Sequence, residues 1–237
     1  MTRLSVNINK YALIRNSRGG NSPDVLQIAR DCERFGAQGI TVHPRQDERH
    51  IRYSDIAPLK EIITTEFNIE GFPDERFMKM VLEIQPHQCT LVPDASNQLT
   101  SDHGWNTIEN KNFLTEIVGR LKEKKIRVSL FADPDEKIVE GAKAIGADRI
   151  EFYTGPFAEE FYTNADEAIA PHVRAAKVAN ELGLGINAGH DLNLDNLKFY
   201  KDRIENLAEV SIGHAIICDA IYMGLETTIK KYLEELR

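Results

Sequence analysis

The chain has 237 residues, 42% of them hydrophobic and 28% charged, the balance of an ordinary globular protein with a substantial core. Its formal net charge of −8 excludes the basic stripe that nucleic-acid binding needs, while still permitting a locally positive cleft for small anions. No apolar run approaches the roughly 18–20 residues of a membrane span, and Met1-Thr2-Arg3-Leu4 passes straight into a strand-like run, so a cytoplasmic location without a membrane partner is expected.

Short β-like runs alternate with longer helical patterns from end to end. Leu4–Asn9 is the first strand, and Arg15, Arg18, Gly19 and Gly20 follow as a basic, flexible loop. Ser22-Pro23-Asp24 then opens a helix to about Phe35, with Ser as the cap. Gly39–His43 is the second strand, with a helix near Tyr53–Thr64. Phe67–Gly71 is the third, and Pro73-Asp74 starts the helix behind it. Gln88–Pro93 is the fourth, followed by a long polar loop holding Trp105 and a helix near Asn112–Lys124. Arg127–Phe131, Arg149–Tyr153, Gly185–Ala188 and Leu207–Ile212 are the fifth to eighth strands, each followed by a helix.

Strands separated by helices pair in parallel, and eight right-handed units close most simply into a (β/α)8 TIM barrel with residues 1–237 as one domain. The open-sheet alternative usually carries a Gly-rich phosphate turn after its first strand, and no G-x-G-x-x-G occurs. Cys32, Cys89 and Cys218 have no zinc spacing and read as small buried thiols.

Polar and titratable residues collect where the strands end. Asn7 and Asn9 close the first, His43 the second with Arg45 beyond it, and Glu70 the third. Asp133 follows the fifth, Glu151 and Thr154 belong to the sixth, Asn187 and His190 end the seventh, and Gly213-His214 end the eighth. In a barrel these meet on the C-terminal face, where active sites are built. Histidine titrates near neutral pH, and an apolar setting raises a glutamate such as Glu70 towards a useful proton affinity. Arginine forks match phosphate oxygens, and the start of the last helix, behind Gly213, suits an anion. No lysine lies inside a strand, so a Schiff base on the protein is not expected, and no metal-site spacing is present.

The stretches VNI, RNSRGG, GITVHPRQDERHI, NIEG, LVPD, VSLF, IEFYTG, NAGHDL and IGHAII run from the first strand into the last helix. Through them the chain resembles the pyridoxine 5'-phosphate synthase family of vitamin B6 biosynthesis. The resemblance implies a (β/α)8 barrel with extra helices, a homo-octamer, and no metal or organic cofactor. It implies condensation of 3-amino-2-oxopropyl phosphate with 1-deoxy-D-xylulose 5-phosphate to pyridoxine 5'-phosphate, phosphate and water.

By the same resemblance His43 and Glu70 accept protons and His190 donates one. Asn7 and Arg18 hold the amino substrate; Arg45, His50 and Thr100 hold the sugar phosphate; Gly213 and His214 bind a phosphate. The chain departs from the family in two places: Asn9-Lys10 stands where Asp-His is common, and Asp191 where glycine is common. These three residues are expected in the substrate site. A phosphate-sugar epimerase or isomerase using Glu70 and His190, and a barrel that binds phosphorylated ligands without turnover, are the alternatives.

Overall fold

The computed structural model describes residues 1–94 and 101–237. In chain order the elements are β1 (Arg3–Asn7), α1 (Asn9–Arg18), α2 (Val25–Arg34), β2 (Gly39–Val42), α3 (Tyr53–Ile62), β3 (Glu66–Gly71), α4 (Glu75–Ile84), β4 (Gln88–Leu91) and α5 (Lys111–Glu123). They continue with β5 (Arg127–Ala132), α6 (Glu136–Ile145), β6 (Arg149–Phe152), α7 (Gly155–Glu181), β7 (Gly185–Ala188), α8 (Leu197–Arg203), β8 (Leu207–Ile212), α9 (His214–Met223) and α10 (Leu225–Glu235). The strands pair in parallel, each with its neighbour, and β1 closes on β8. This is the expected (β/α)8 barrel with added helices.

Alternation along each strand sorts its side chains. One set, including Leu4, Val6, Ile40, Ile69, Leu130 and Ile212, is fully buried in the apolar core. The alternate set is polar and fills the barrel axis. Ser5 Oγ lies 2.7 Å from Thr41 Oγ1, Asn68 Nδ2 donates to Thr41 Oγ1 (3.3 Å), and Thr90 donates to Asn68 Oδ1 (3.1 Å). Period-two alternation thus gives each strand an aliphatic side toward the helices and a hydrogen-bonding side within.

Three details differ from expectation, in α1, at the cap of α2 and at Cys218. The basic stretch after β1 is a helix: α1 ends at Arg18, capped by Gly19 in the left-handed conformation (φ 79°). Arg15 within it is buried, pairing with Asp55 through two 2.8 Å bonds and donating to the His50 carbonyl (3.1 Å). The cap of α2 is Asp24, whose carboxylate accepts from Leu26 and Gln27, so Ser22 does not serve. Cys218 is exposed on α9, unlike buried Cys32 and Cys89. Trp105 is buried and packs on Phe72 and Phe113, a loop anchor.

Charge is not confined to the strand ends that point to a site. At the opposite, N-terminal end, Arg3, Glu66, Arg127, Arg149 and Glu209 form a plug. Arg3 pairs with Glu66 (3.0 Å) and Glu209 (3.6 Å), Arg127 with Glu66, and Arg149 with Glu209 (4.0 Å). Gly185 makes room for it: a Cβ there would lie 2.7 Å from Arg149 Cγ.

Candidate active site

The C-terminal mouth gathers most of the expected residues. At the end of β1, Asn7 accepts the Asn9 amide on Oδ1 (3.1 Å) and donates from Nδ2 to Glu70 Oε2 (3.3 Å). Buried Asn9 in turn accepts the His43 amide (2.9 Å), fixing the backbone at the end of β2. Gly213 brings β8 against this corner, where a Cβ would come within 2.8 Å of the Asn7 carbonyl. The end of β1 and the start of α1 therefore position Glu70 and His43 respectively.

Proton affinities at the mouth are shifted in opposite directions. Burial holds His43 well below the ordinary histidine range, helped by His50 and Arg45, so it is a neutral base at pH 7. His50 is lowered to about 4, first by burial and then by Arg45 and Lys10. Its Nδ1 accepts the Ile51 amide (2.9 Å), which leaves Nε2–H as a donor. Lys10 thus acts on the site through its charge on His50.

Glu70 lies in β3, and burial pushes its carboxyl up to about 8. His190 opposes that rise, while Asp94 and Glu209 add to it. Glu151, one layer deeper in β6, is raised well above the carboxylate range by burial and by Glu70, and its Oε2 has no hydrogen-bond partner among the described residues.

Opposite Glu70, the half-buried His190 sits in the turn after β7 against the rings of Phe131 and Tyr153. Burial lowers its proton affinity, but a 2.8 Å hydrogen bond to Asp191 and the charges of Asp191 and Glu70 outweigh burial and raise it. Glu70 and His190 therefore act on each other: the glutamate raises the imidazole's proton affinity, and the imidazole limits the rise of the glutamate's.

Arg45 is buried and paired with Asp94 at 2.7 Å; Ser101 Oγ donates to the same carboxylate oxygen (2.7 Å). His214 begins α9 and is exposed, with its Nε2 3.7 Å from Cys218 Sγ. Arg18 has no hydrogen bond or ion pair to the other candidates among the described residues, although Arg15 and Asn16 on the same end of α1 bond the His50 carbonyl. It is exposed at the far end of α1, roughly 13 Å along the axis from Asn9 at 1.5 Å per residue. Thr100 lies outside the described residues.

One position in the mouth escaped the reading of the sequence: Asp94 ends the LVPD stretch and clasps Arg45. An aspartate directly after a barrel strand was the available signal for it. Thr154, expected at the end of the sixth strand, accepts the Asp191 amide (3.1 Å).

The fold and this mouth define a class: a (β/α)8-barrel enzyme that gathers histidine and glutamate of shifted proton affinity at its strand ends. The family described as pyridoxal phosphate biosynthesis protein PdxJ matches residues 4–237, and the chain belongs to that family. It is 61% identical to a pyridoxine 5'-phosphate synthase of Cytophaga hutchinsonii and 55% identical to one of Flavobacterium johnsoniae, each over 237 residues and the full length of both chains. Solved structures share the barrel at low identity. Phosphoribosylanthranilate isomerase from Thermotoga maritima superposes with a TM-score of 0.61 at 13% identity, covering 100% of this chain and 98% of the other. A 4-hydroxy-2-oxoglutarate aldolase gives 0.65 at 14%, covering 99% and 94%. These two establish the fold alone. Among the described residues no helix is long and apolar enough to cross a membrane.

Proposed function

We propose that the chain is a pyridoxine 5'-phosphate synthase, acting as one catalytic domain on 3-amino-2-oxopropyl phosphate and 1-deoxy-D-xylulose 5-phosphate. The observation that carries this reading is the set His43, Glu70 and His190 at one barrel mouth, a neutral buried base facing a glutamate–histidine pair with raised proton affinities.

The substrates carry much of the reactivity themselves. The amine of one forms an imine with the ketone of the other, so no protein lysine is needed. Enolisation, loss of phosphate, dehydration and ring closure then complete the reaction. Each makes or breaks a bond with the help of a proton moved to or from carbon or a departing oxygen, a transfer that positioned His and Glu groups accelerate about 10²–10⁴-fold. In this reading His43 and Glu70 accept protons and His190 donates one to a departing oxygen. Glu151, protonated beneath Glu70, supplies a buried hydrogen-bond donor to developing negative charge.

Arg45 and the Nε2–H of His50 are the donors to the sugar phosphate, and the family resemblance adds Thr100 to that contact. The amide groups at Gly213 and His214 cradle the other phosphate at the start of α9. Asn7 orients the amino substrate as it orients Glu70. Asn9 takes a backbone-holding role, and Lys10 contributes positive charge at the sugar-phosphate end. Arg18, exposed at the end of α1, fits a phosphate contact between subunits of a homo-oligomer, which the family resemblance makes an octamer. The exposed Leu13, Ile14, Ile221 and Tyr222 on α1 and α9 support such an assembly in the cytoplasm.

The test is turnover. Purified protein with both freshly prepared substrates should yield pyridoxine 5'-phosphate by mass and ultraviolet absorbance, require both, and lose at least 10²-fold in His43→Ala. Product from a single phosphorylated sugar without the amine would replace this reading with an isomerase.

A further inference from the structure

The carboxylate of Asp191 faces the imidazole of its neighbour, His190. Consecutive residues seldom touch through their side chains in regular structure, but 190 and 191 lie in the turn that follows β7. That turn is fixed at both ends: the Leu192 amide donates to the Gly189 carbonyl (2.6 Å), and the Asp191 amide donates to the buried Thr154 Oγ1 (3.1 Å). With its backbone held, Asp191 places Oδ2 2.8 Å from His190 Nδ1. The Phe131 and Tyr153 rings, 6.4 Å and 6.2 Å away by centroid, wall the other side of the imidazole.

We infer that Asp191 is a positioning residue that forms an aspartate–histidine dyad with His190, fixing its tautomer and keeping it cationic for proton donation. This role rests on the acid–base function proposed for the mouth.

The chemistry comes from the geometry. A carboxylate on Nδ1 requires that nitrogen to carry a proton, so the second proton of the imidazolium resides on Nε2. In the donation step the Nε2–H bond breaks and an O–H bond forms on the leaving oxygen. The imidazole is left neutral, with Nδ1–H still bound to Asp191. Without the carboxylate both neutral tautomers become accessible, and the cation loses its main stabilising partner. Among the described residues, the other groups that face His190 are Glu70 from β3, Asp94 after β4, His43 after β2 and Tyr153 after β6. The two carboxylates reinforce the dyad, and His43 beside it is neutral. Asp191 is the one in direct hydrogen-bond contact on Nδ1, so its removal should dominate.

The experiment uses the full chain, in wild-type, Asp191→Asn and Asp191→Glu forms. The His190 ring is titrated by NMR without substrates, and kcat and KM are measured across pH. In Asp191→Asn the His190 midpoint should fall by about one pH unit, and the Nδ1–H signature of the neutral form should weaken. The alkaline limb of kcat should move down by the same amount, with KM for each substrate changed less than threefold. Asp191→Glu should restore both in part. A His190 midpoint that does not move overturns the dyad, as does a uniform loss of kcat at every pH with the limb in place. Wild-type protein that forms no product would count against the proposed reaction, while the titration alone would still decide the dyad.

Discussion

The two ends of this barrel handle buried carboxylates in opposite ways. At the N-terminal end Glu66 and Glu209 face three guanidiniums, those of Arg3, Arg127 and Arg149. At the C-terminal mouth Glu70 meets, among the described residues, an amide donor at 3.3 Å and the titratable His190, while the nearby guanidinium of Arg45 is taken by Asp94. Permanent cations at one end make a structural plug. Without them, Glu70 is a group whose proton can move near neutral pH. The difference lies in what surrounds each carboxylate, since all three lie on strands lining the same polar axis. Glu209 shows that guanidiniums do not remove the cost of burial: burial and Glu66 still push it up to about 7.

That contrast can be broken from the plug side. Arg149→Met strips Glu209 of one cation, and a disrupted buried pair of this kind costs about 3 kcal/mol. The melting temperature should fall by roughly 6–12 °C, with kcat of the folded protein within twofold of wild type. A variant as stable as the parent would mean the plug contributes nothing.

A gentler probe is Glu209→Gln, read against pH. Because the folded-state value of Glu209 is raised from the usual 4.5 to about 7, its stabilising contribution is complete below 4.5 and is lost as pH rises through about 7. The glutamine should match wild type near pH 5 and exceed it by about 2 kcal/mol above pH 8. Parallel pH profiles for the two proteins would remove the basis for this assignment.

His172 lies away from both ends, packed between α7 and α8 with Nδ1 2.9 Å from the Tyr200 hydroxyl, and burial lowers it to about 4. In the window from 6.5 down to about 4 the unfolded chain binds the extra proton, so stability falls with pH there. His172→Phe should flatten this acid limb and cost about 1 kcal/mol at pH 7 through the stranded tyrosine hydroxyl. Chemical denaturation at pH 5 and pH 7 measures both, and an unchanged acid limb would reassign it to other groups.

The strands were legible because each run is short, β-branched and bounded by turns, and period-two alternation survives in any barrel. LSVNIN, FNIEG and EVSI carry Ser5, Asn7, Asn68, Glu70, Glu209 and Ser211 on one side, so the polar axis was written there too, although only closure shows where that side faces. Helix α1 was hidden by the glycines that end it: Gly19 and Gly20 read as a loop, whereas Gly19 is the cap of a run rich in good helix formers. The plug was not readable because its five residues come from five strands far apart in sequence. For the mouth, the residue types and strand ends indicated the site. The pairings that tune it, Asp94 with Arg45 and Asp191 with His190, depend on loop geometry that spacing does not determine.

The most direct test is a pair of substitutions assayed side by side. Glu70→Gln and Glu209→Gln remove the same charge from the two ends of one barrel, and turnover of both substrates is followed at about pH 7.5 with folding checked by circular dichroism. Glu70→Gln should stay folded and lose at least tenfold in kcat, while Glu209→Gln remains within twofold of wild type. Equal losses, or near-normal turnover in Glu70→Gln, would contradict the assignment of proton chemistry to the C-terminal mouth.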